Sequence, residues 1–388
     1  MVKQVKHAHV FWQLVPVILT FFAMGFVDLT GIATNYVKAD FALSDTVANL
    51  FTSMVFFWFL VASVPTGMLM NRIGRHKTVL LSLVITLLAV ALPLIDYNLP
   101  LMVISFSLLG IGNTMMQTSI NPLLSNIVSK QRLSSAITFG QFVKAVAAFS
   151  APILAAWAAL HFGNWRMLYA VFLAEGAVAL ISLYFDKIPE EKTESKITGF
   201  KESFVLLADK AVLLSFAAIV CHVGIDVGTN VTAPKIFIEK LGVSLTQAGL
   251  AISVYFLFRT FASLFGAYVL AKYSAKRFFM ISVIILTAGL LGLLMFDDMR
   301  TLYVCMGLIG FGNANIFPVV FSQIMLANPR HKNEISGLMI MGICGGAIVP
   351  AVMGIASDVA GSQSGAVAIM AICAAYLLFM ITKIKDKA

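Results

Sequence analysis

The sequence predicts an all-α membrane protein with twelve transmembrane helices in two six-helix bundles. Three observations lead to this fold class. First, 60% of the 388 residues are hydrophobic, 12% are charged and the mean hydropathy is +0.93, which excludes a soluble domain with a wetted surface. Second, apolar runs of about twenty residues, enough to cross about 30 Å of hydrocarbon as a helix, recur along the chain. Third, motifs of the first half return in the second half.

The apolar runs divide into twelve spans joined by short polar segments. We expect them at 11–37, 46–70, 78–95, 99–128, 134–160, 166–186, 210–237, 245–271, 277–296, 300–327, 334–358 and 364–383. The first run is too long for the apolar core of a signal peptide, and no small-residue cleavage site follows it. We therefore expect it to remain in the mature protein as the first span.

Lysine and arginine residues predict the orientation, because short loops rich in them stay in the cytoplasm. With a cytoplasmic N-terminus, twenty of the 27 basic residues lie on the cytoplasmic side and five on the other. The remaining two, Lys144 and Arg259, fall within spans. Both termini are therefore predicted to be cytoplasmic. The net charge of +9 reflects this topology and does not indicate a nucleic-acid partner.

The two halves of the chain repeat short motifs at an offset of about 200 residues. The segment GIGNT at 110–114 returns as GFGNA at 310–314, and both are typical of close helix packing. NRIGRHK, which starts at residue 71, aligns with AKYSAKR, which starts at residue 271. A weaker match at an offset of 198 relates VDLTG around Asp28 to IDVGTN around Asp226. Two homologous bundles are therefore expected.

The bundles are predicted at 1–186 and 210–388, joined by a hydrophilic cytoplasmic linker at 187–209. Six spans is an even number, so both bundles enter the membrane from the same side. This is the parallel repeat in which two bundles rock about a site at their interface.

A loop motif lies between the second and third spans, where the chain reads GMLMNRIGRHK from residue 67 to residue 77. The first glycine allows a neighbouring helix to approach, and the second allows a tight turn. The motif resembles the loop signature of the major facilitator superfamily, which implies a gating role for Gly67, Asn71, Arg72, Gly74 and Arg75. The family usually has an aspartate where this chain has Asn71, which weakens the charge relay to Arg72.

Several stretches resemble the fucose-proton symporter branch of that superfamily. They are FVDLTG in the first span, QTSINP at 117–122, GQFVKAVAAFSAP at 140–152, YFLFRTFAS around Arg259 and SGLMIMGICGGAIVP at 336–350. The resemblance covers the full length and implies a major facilitator fold and sugar uptake coupled to a cation. In that branch a second carboxylate stands at the position of Gln117, and an asparagine is expected at Lys144.

Polar residues form stripes within the spans, since positions three or four apart share a helix face. A charge at the centre of a bilayer costs about 2.5–3.5 kcal/mol even on an insertion scale, so ionisable groups there usually mark a pathway. The alternative is that polar groups only bridge helices, at about 0.6 kcal/mol per bond. Our candidate substrate-binding residues are Asp28, Gln117, Asn121, Gln141, Lys144, Asp226, Asn230, Arg259 and Asn313, with Phe57, Trp58 and Tyr255 as platforms on which a sugar stacks.

Coupling is expected at Asp28, because a partly desolvated carboxylate can load and release a proton. The candidate cation-coupling residues are Asp28, Asn35, Gln117 and Asn121, with a proton ranked first and sodium second. Lys144 leaves two interpretations open. It pairs with Asp28, or it binds a carboxylate of the substrate.

The sequence thus predicts a secondary transporter that imports a sugar or sugar acid by alternating access. The alternative is a proton-driven exporter of small amphipathic compounds. We expect no enzymatic activity, no catalytic or metal site and no cofactor beyond the coupling ion. The expected partners are a small polar substrate and membrane lipid, and the expected state is a monomer. The four cysteines are interpreted as packing residues.

Overall fold

The computed structural model describes residues 2–43, 45–186, 188, 190, 199–243 and 245–385, and within these residues the chain is helical without strands. The helices are α1 (Val2–Met24), α2 (Leu29–Asp40), α3 (Asp45–Ile73), α4 (Arg75–Ile95), α5 (Leu99–Ile127), α6 (Leu133–Phe162), α7 (Met167–Phe185), α8 (Phe200–Val205), α9 (Lys210–Leu241), α10 (Leu245–Lys272), α11 (Ala275–Met295), α12 (Met299–Asn313), α13 (Ile316–Ala327), α14 (Lys332–Met341), α15 (Gly345–Ala360) and α16 (Ser364–Met380).

The prediction of twelve spans is confirmed. Ten helical segments of the described chain are long and apolar enough to cross a membrane. Two shorter apolar helices, at Trp12–Asp28 and Ser364–Met380, complete the set. The protein is therefore a multi-pass membrane protein, while the orientation of its termini stays a prediction.

The first span is broken, a feature that its continuous apolar pattern does not indicate. Helix α1 ends at Met24, a 3₁₀ turn covers Gly25–Asp28, and α2 follows. The side-chain amide of Asn113 donates a hydrogen bond to the carbonyl oxygen of Met24 at 2.6 Å. In a continuous α-helix this carbonyl would accept from the backbone N–H of residue 28. The amide of Asn113 therefore competes with the helix at the point where it breaks.

Two further spans are interrupted in the second half of the chain. Helices α12 and α13 are separated by residues 314–315, and Pro318 lies in the first turn of α13, where its missing N–H is tolerated. Helices α14 and α15 are separated by a 3₁₀ turn at Gly342–Cys344, inside the segment GICGG. Glycine favours interruptions because it loses the most backbone freedom in a helix.

The described chain forms two compact units. The first comprises Met1–Leu133, Val143–Phe204 and Asn328–Met341. In it α4 packs against α5 and α7, α3 packs against α5 and α14, and α1 packs against α5 and α7. The second comprises Ser134–Phe142, Val205–Ala327 and Gly342–Ala388. In it α9 packs against α15 and α16, and α12 packs against α10 and α11. The predicted bundle boundaries at 186 and 210 stay predictions.

The internal repeat returns in the helix packing of each unit. A Cβ added to Gly112 would lie 3.2 Å from the carbonyl oxygen of Ser82, and one added to Gly312 would lie 2.5 Å from that of Ser282. The offset is 200 residues in each case. The interpretation of GIGNT and GFGNA as sites of close helix packing is therefore confirmed.

Candidate functional site

Asp28 is the last residue of the 3₁₀ turn that breaks the first span. A Cβ on Gly25 would lie 2.6 Å from Cβ of Ala147 and 2.7 Å from the carbonyl oxygen of Lys144, so only glycine permits this approach to α6. The approach brings Nζ of Lys144 to 3.8 Å from Oδ2 of Asp28. The Asp28 side chain is nevertheless 45% exposed. The structure thus joins the two predicted ionisable residues of the first unit in a long, partly open ion pair.

The polar stripe of α5 forms a hydrogen-bonded ladder. Asn113 donates to the carbonyl oxygen of Met24, Gln117 donates to Oδ1 of Asn113 at 2.6 Å, and Asn121 donates to the backbone carbonyl of Gln117 at 3.1 Å. All three amides are buried. Oδ1 of Asn121 has no hydrogen-bond partner among the described residues. The ladder therefore reaches the first span one turn before Asp28 and leaves one buried acceptor available.

Three other predicted residues have fewer contacts. The side chain of Asn35 lies outside the described residues. Gln141 is half-buried on α6, in the segment that belongs to the second unit. Asn230 donates to the backbone carbonyl of Asp226 at 3.0 Å, and its own Oδ1 is buried without a hydrogen-bond partner in the described part of the chain. Their assignment to a substrate site stays a prediction.

The second unit contains a much tighter ion pair. Oδ2 of Asp226 on α9 lies 3.0 Å from a guanidinium nitrogen of Arg259 on α10. The hydroxyl of Tyr255 donates a short hydrogen bond to Oδ1 of the same carboxylate. The Asp226 side chain is 14% exposed. Both carboxylate oxygens are therefore engaged, one by a cation and one by a phenol.

A directed chain of hydrogen bonds continues from this ion pair. Asn313 donates from Nδ2 to the hydroxyl of Tyr255 at 3.2 Å. Its Oδ1 accepts from Nδ1 of His222 at 2.8 Å, which assigns the proton of the neutral imidazole to Nδ1. His222, Asn313 and Tyr255 are all buried. The chain runs from His222 to Asp226 and fixes the carboxylate as an acceptor.

His222 was not predicted as a site residue and Tyr255 was predicted only as a stacking platform, although each lies one helical turn from a predicted polar site residue. The ring of Tyr255 is fully buried and its hydroxyl binds Asp226. The expectation that this ring is a stacking platform for a sugar was therefore wrong. Trp58 donates from its indole to Ser107 at 2.9 Å, and Phe57 is 54% exposed. The helical spacing predicted which faces are polar, but it did not distinguish a ligand contact from an internal one.

Comparison with known proteins identifies the family. The sequence profile of the Major Facilitator Superfamily matches residues 17–231 and again residues 214–388. The chain belongs to the major facilitator superfamily. Its members are membrane transporters, so the fold class and the transporter assignment are confirmed.

Individual proteins similar to this superfamily member fall into two groups. The glucose/galactose transporter of Brucella abortus is 23% identical over 95% of this chain and 93% of its own length. A putative glucose/galactose transporter of Helicobacter pylori is 24% identical over 94% of both chains. Among solved structures, the fucose:proton symporter of E. coli superposes with a TM-score of 0.81 at 16% identity, over 97% of this chain and 100% of its own. The proton:xylose symporter bound to 6-bromo-6-deoxy-D-glucose gives 0.77 at 16% identity, over 98% and 97%.

The superfamily loop motif contacts α14 within the first unit. A Cβ on Gly67 would lie 2.8 Å from the carbonyl oxygen of Asn333, so this glycine permits close approach, as predicted. Asn71 donates to Glu334 at 2.7 Å and accepts from Asn333 at 2.7 Å. An asparagine pair and a buried glutamate therefore stand where the family's aspartate relay was expected. Arg72 is exposed, and its gating role stays a prediction.

Arg75 is the buried cation of the loop motif. Its Nε donates to Oδ1 of Asn333 at 2.7 Å, and its Nη1 donates to Oδ1 of Asn126 at 2.6 Å. Asn126, Asn333 and Glu334 were missed because they lie outside the motif, and only the fold brings them to it. The motif's basic residue thus fastens the start of α4 to both α5 and α14.

Gly74 has a further role that the sequence did not suggest. Its φ of +92° favours glycine, and a Cβ there would lie 2.5 Å from a carboxylate oxygen of Glu190 in the linker. Glu190 accepts from the backbone N–H groups of Arg75 at 3.0 Å and His76 at 2.7 Å. A linker carboxylate therefore caps the N-terminus of α4, which the macrodipole favours.

Proposed function

We propose that this transporter imports a sugar and couples the uptake to a cation that loads at Asp28. The observation that carries the proposal is the unequal engagement of the two acids. Asp28 is nearly half exposed and its ion-pair partner is 3.8 Å away, whereas both oxygens of Asp226 are held at hydrogen-bond distance. A coupling carboxylate has to gain and lose its cation in each cycle, and a loosely paired acid meets that requirement at lower cost.

A proton is the coupling ion that fits this acid better. Lys144 already places a positive charge beside the carboxylate. The ammonium opposes either cation at the carboxylate, by about 4 kcal/mol for unit charges 4 Å apart at an effective dielectric constant of 20, but a sodium ion also has to find further oxygen ligands close to Asp28. A proton forms an O–H bond and needs no further ligands. Sodium remains the second candidate, because the free Oδ1 of Asn121 is a suitable oxygen ligand.

A neutral sugar is favoured over a sugar acid. The two basic residues that the sequence places inside spans each face a carboxylate of the protein, Lys144 at Asp28 and Arg259 at Asp226. A substrate carboxylate would have to compete with these internal anions. Oδ1 of Asn121, the ladder acceptor without a partner among the described residues, can accept a hydrogen bond from a sugar hydroxyl. The full-length similarity to glucose/galactose transporters supports the same substrate class.

The proposal is tested by uptake into proteoliposomes that contain the purified protein. Radiolabelled glucose and galactose are compared with glucuronate, and inward proton and sodium gradients are imposed separately. We expect accumulation of a neutral sugar under the proton gradient and loss of accumulation, by about tenfold or more, in Asp28→Asn.

The matched control is Asp358→Asn, which makes the same chemical change at an exposed position near the end of α15. It should accumulate sugar like the wild type. Normal accumulation by Asp28→Asn under every gradient would refute coupling at this residue. Accumulation of glucuronate alone would refute the preference for a neutral sugar, and a response to sodium alone would reverse the ranking of the ions.

A further inference from the structure

A cluster around Asp40, which we call the aromatic clamp, closes the end of the first unit opposite the loop motif. Its members are Asp40, Tyr36, Tyr97, Trp165 and Arg166. The hydroxyl of Tyr97 donates to Oδ2 of Asp40 at 2.6 Å, and the indole of Trp165 donates to the same oxygen at 3.0 Å. The guanidinium of Arg166 lies over the Tyr97 ring at 4.4 Å. One carboxylate oxygen therefore gathers donors from two different loops.

Ring contacts complete the aromatic clamp. Trp165 stacks on Tyr36 with ring centroids 4.8 Å apart and an angle of 10° between the planes. Trp165 and Tyr97 also form a T-shaped contact, with their ring centroids 6.2 Å apart. Burial, and then the hydrogen bond to Asp40, raises the pKa of Tyr97 well above its ordinary value of 10.0. The phenol therefore remains a donor at physiological pH.

The aromatic clamp joins the end of α2 to both neighbouring connections of the unit. Asp40 is the last residue of α2, Tyr97 lies between α4 and α5, and Trp165 lies between α6 and α7. Helix α2 is separated from α1 by the break at Gly25–Asp28 and packs mainly against α3. Its position at the far end is therefore fixed by the aromatic clamp. Twelve residues of helix, about 18 Å, connect that end to Asp28.

In the second unit the equivalent segments are the end of α9, the α11–α12 connection and the α15–α16 connection, and different contacts join them. At the end of α9, Lys240 forms an ion pair of 2.8 Å with Asp297, which is 74% exposed. Glu239 accepts from the backbone N–H of Gln363 before α16 at 2.8 Å. These are surface contacts of the kind that contribute little to stability. Helix α9 is continuous and needs no separate support, whereas α2 is a half-helix.

We propose that Asp40 is a positioning residue that holds α2 through the aromatic clamp and so keeps Asp28 beside Lys144. This inference rests on the proposed role of Asp28 in coupling. The bonds of Tyr97 and Trp165 to Asp40 maintain the angle of the half-helix, and the 3₁₀ turn transmits that angle to the acid. Loss of either bond lets α2 swing and leaves the substrate contacts elsewhere unchanged.

The test combines hydrogen exchange with transport in the full-length protein. Tyr97→Phe removes one donor to Asp40 and preserves the ring, Trp165→Phe removes the other donor and leaves a smaller aromatic ring, and Asp40→Ala removes the acceptor. Hydrogen-exchange mass spectrometry of peptides from 29–40 should show exchange faster by about tenfold or more in each variant, since a hydrogen bond to a charged group is lost. In uptake assays the sugar concentration for half-maximal rate should stay constant, while accumulation under a proton gradient falls.

Two controls keep the outcomes separate. Asp297→Asn breaks the surface pair of the second unit and should change neither exchange at 29–40 nor accumulation. Asp40→Asn keeps one acceptor oxygen and should fall between wild type and Asp40→Ala. Unchanged exchange in Trp165→Phe and Tyr97→Phe would overturn the proposal, as would faster exchange with normal accumulation. Normal accumulation by Asp28→Asn would instead refute the coupling proposal, while the exchange data would still report whether the clamp holds α2.

Discussion

The two units carry related acids that are paired differently: Asp28 lies in a long, partly exposed ion pair and Asp226 in a short, mostly buried one. Asp28 and Asp226 each lie four residues after a backbone carbonyl that accepts a hydrogen bond from an asparagine of the equivalent later helix. In the first unit Asn113 binds the carbonyl of Met24 at 2.6 Å, and in the second Asn313 binds that of His222 at 3.5 Å. The repeated contact thus occurs with two local structures, a short bond at a broken helix and a long bond at a continuous one.

The partners of the two asparagines, Asn113 and Asn313, explain why the two related acids are held differently. At the position of Met24 the second unit has His222, whose imidazole occupies the amide oxygen of Asn313. That asparagine then also serves Tyr255, and the network immobilises Asp226. In the first unit the same amide oxygen is taken by Gln117 of its own helix. Asp28 is left with Lys144 alone among the described residues.

The largest expected effect separates the two acids by stability. Asp226→Asn removes the carboxylate from a tight, mostly buried pair, and breaking such a pair typically costs about 3–5 kcal/mol. Asp28→Asn changes an open pair and should cost at most about 1 kcal/mol. Thermal unfolding of both variants in detergent measures the contrast. Equal losses of stability would contradict the contrast between a loosely paired Asp28 and a tightly held Asp226 on which the coupling proposal rests.

The next effect isolates the phenol in the second unit. Tyr255→Phe keeps the buried ring and removes only the hydroxyl that links Asn313 to Asp226. A hydrogen bond to a charged group contributes about 1.5–3 kcal/mol, so the midpoint of unfolding should fall accordingly. Tyr184→Phe, at an exposed position on α7, is the matched control and should leave the midpoint unchanged. A neutral result for Tyr255→Phe would mean that the chain from His222 does not stabilise Asp226.

A third effect concerns the approach of the broken helix to α6. Gly25→Ala places a methyl group against Ala147 and the carbonyl of Lys144, and such overpacking costs about 1–3 kcal/mol. Sugar accumulation should fall as well, because the Asp28 and Lys144 side chains are pushed apart. Gly354→Ala, where an added Cβ meets nothing within 4 Å, is the control and should be neutral. If both substitutions behave alike, the close approach is not required.

The smallest effect on stability is expected for Lys144→Met. A long, partly exposed ion pair of 3.8 Å contributes about 0–1 kcal/mol, so unfolding should barely change. Removal of the ammonium removes the charge that opposes either cation at Asp28, and it also clears the space beside the carboxylate in which a sodium ion, unlike a proton, has to place further ligands. We therefore expect sodium-stimulated uptake to appear or increase, measured as the ratio of initial rates under sodium and proton gradients. An unchanged ratio would show that Lys144 does not select the ion.

Helix number and register could be predicted from the sequence because apolar length and helical period are local properties. The breaks at 25–28 and 314–315 could not, since each depends on contacts made by other helices. Asn113 illustrates this, because its helix face was recognised while its partner, a main-chain oxygen 89 residues away, carries no sequence signal. Proline is the residue that most often breaks a helix, yet Pro122 lies inside the unbroken α5, so a local sequence signal would have placed the break in the wrong span.

The ion pairs show the same limit for the candidate site. Intramembrane charges stand out by their cost, so Asp28, Lys144, Asp226 and Arg259 could be selected from the sequence, and the structure joins them in two ion pairs. The tightness of each pair depends on the nitrogen-to-oxygen distance, 3.8 Å for Lys144 and Asp28 against 3.0 Å for Arg259 and Asp226. It also depends on Tyr255, whose hydroxyl binds Asp226. Chemistry of this kind follows from tertiary geometry, which spacing alone does not determine.

The cap that Glu190 supplies to α4 has a practical consequence for dissecting the chain. In the second half, the equivalent helix α11 is capped locally by Ser274, which accepts from the backbone N–H of Arg277. Helix α4 has Gly74 at that position and takes its cap from beyond the end of α7. A half-chain that stops at residue 186 would lose this cap, whereas one that extends to residue 199 keeps it. The longer fragment should therefore be more stable to unfolding, by about the 0.5–2 kcal/mol of a helix cap.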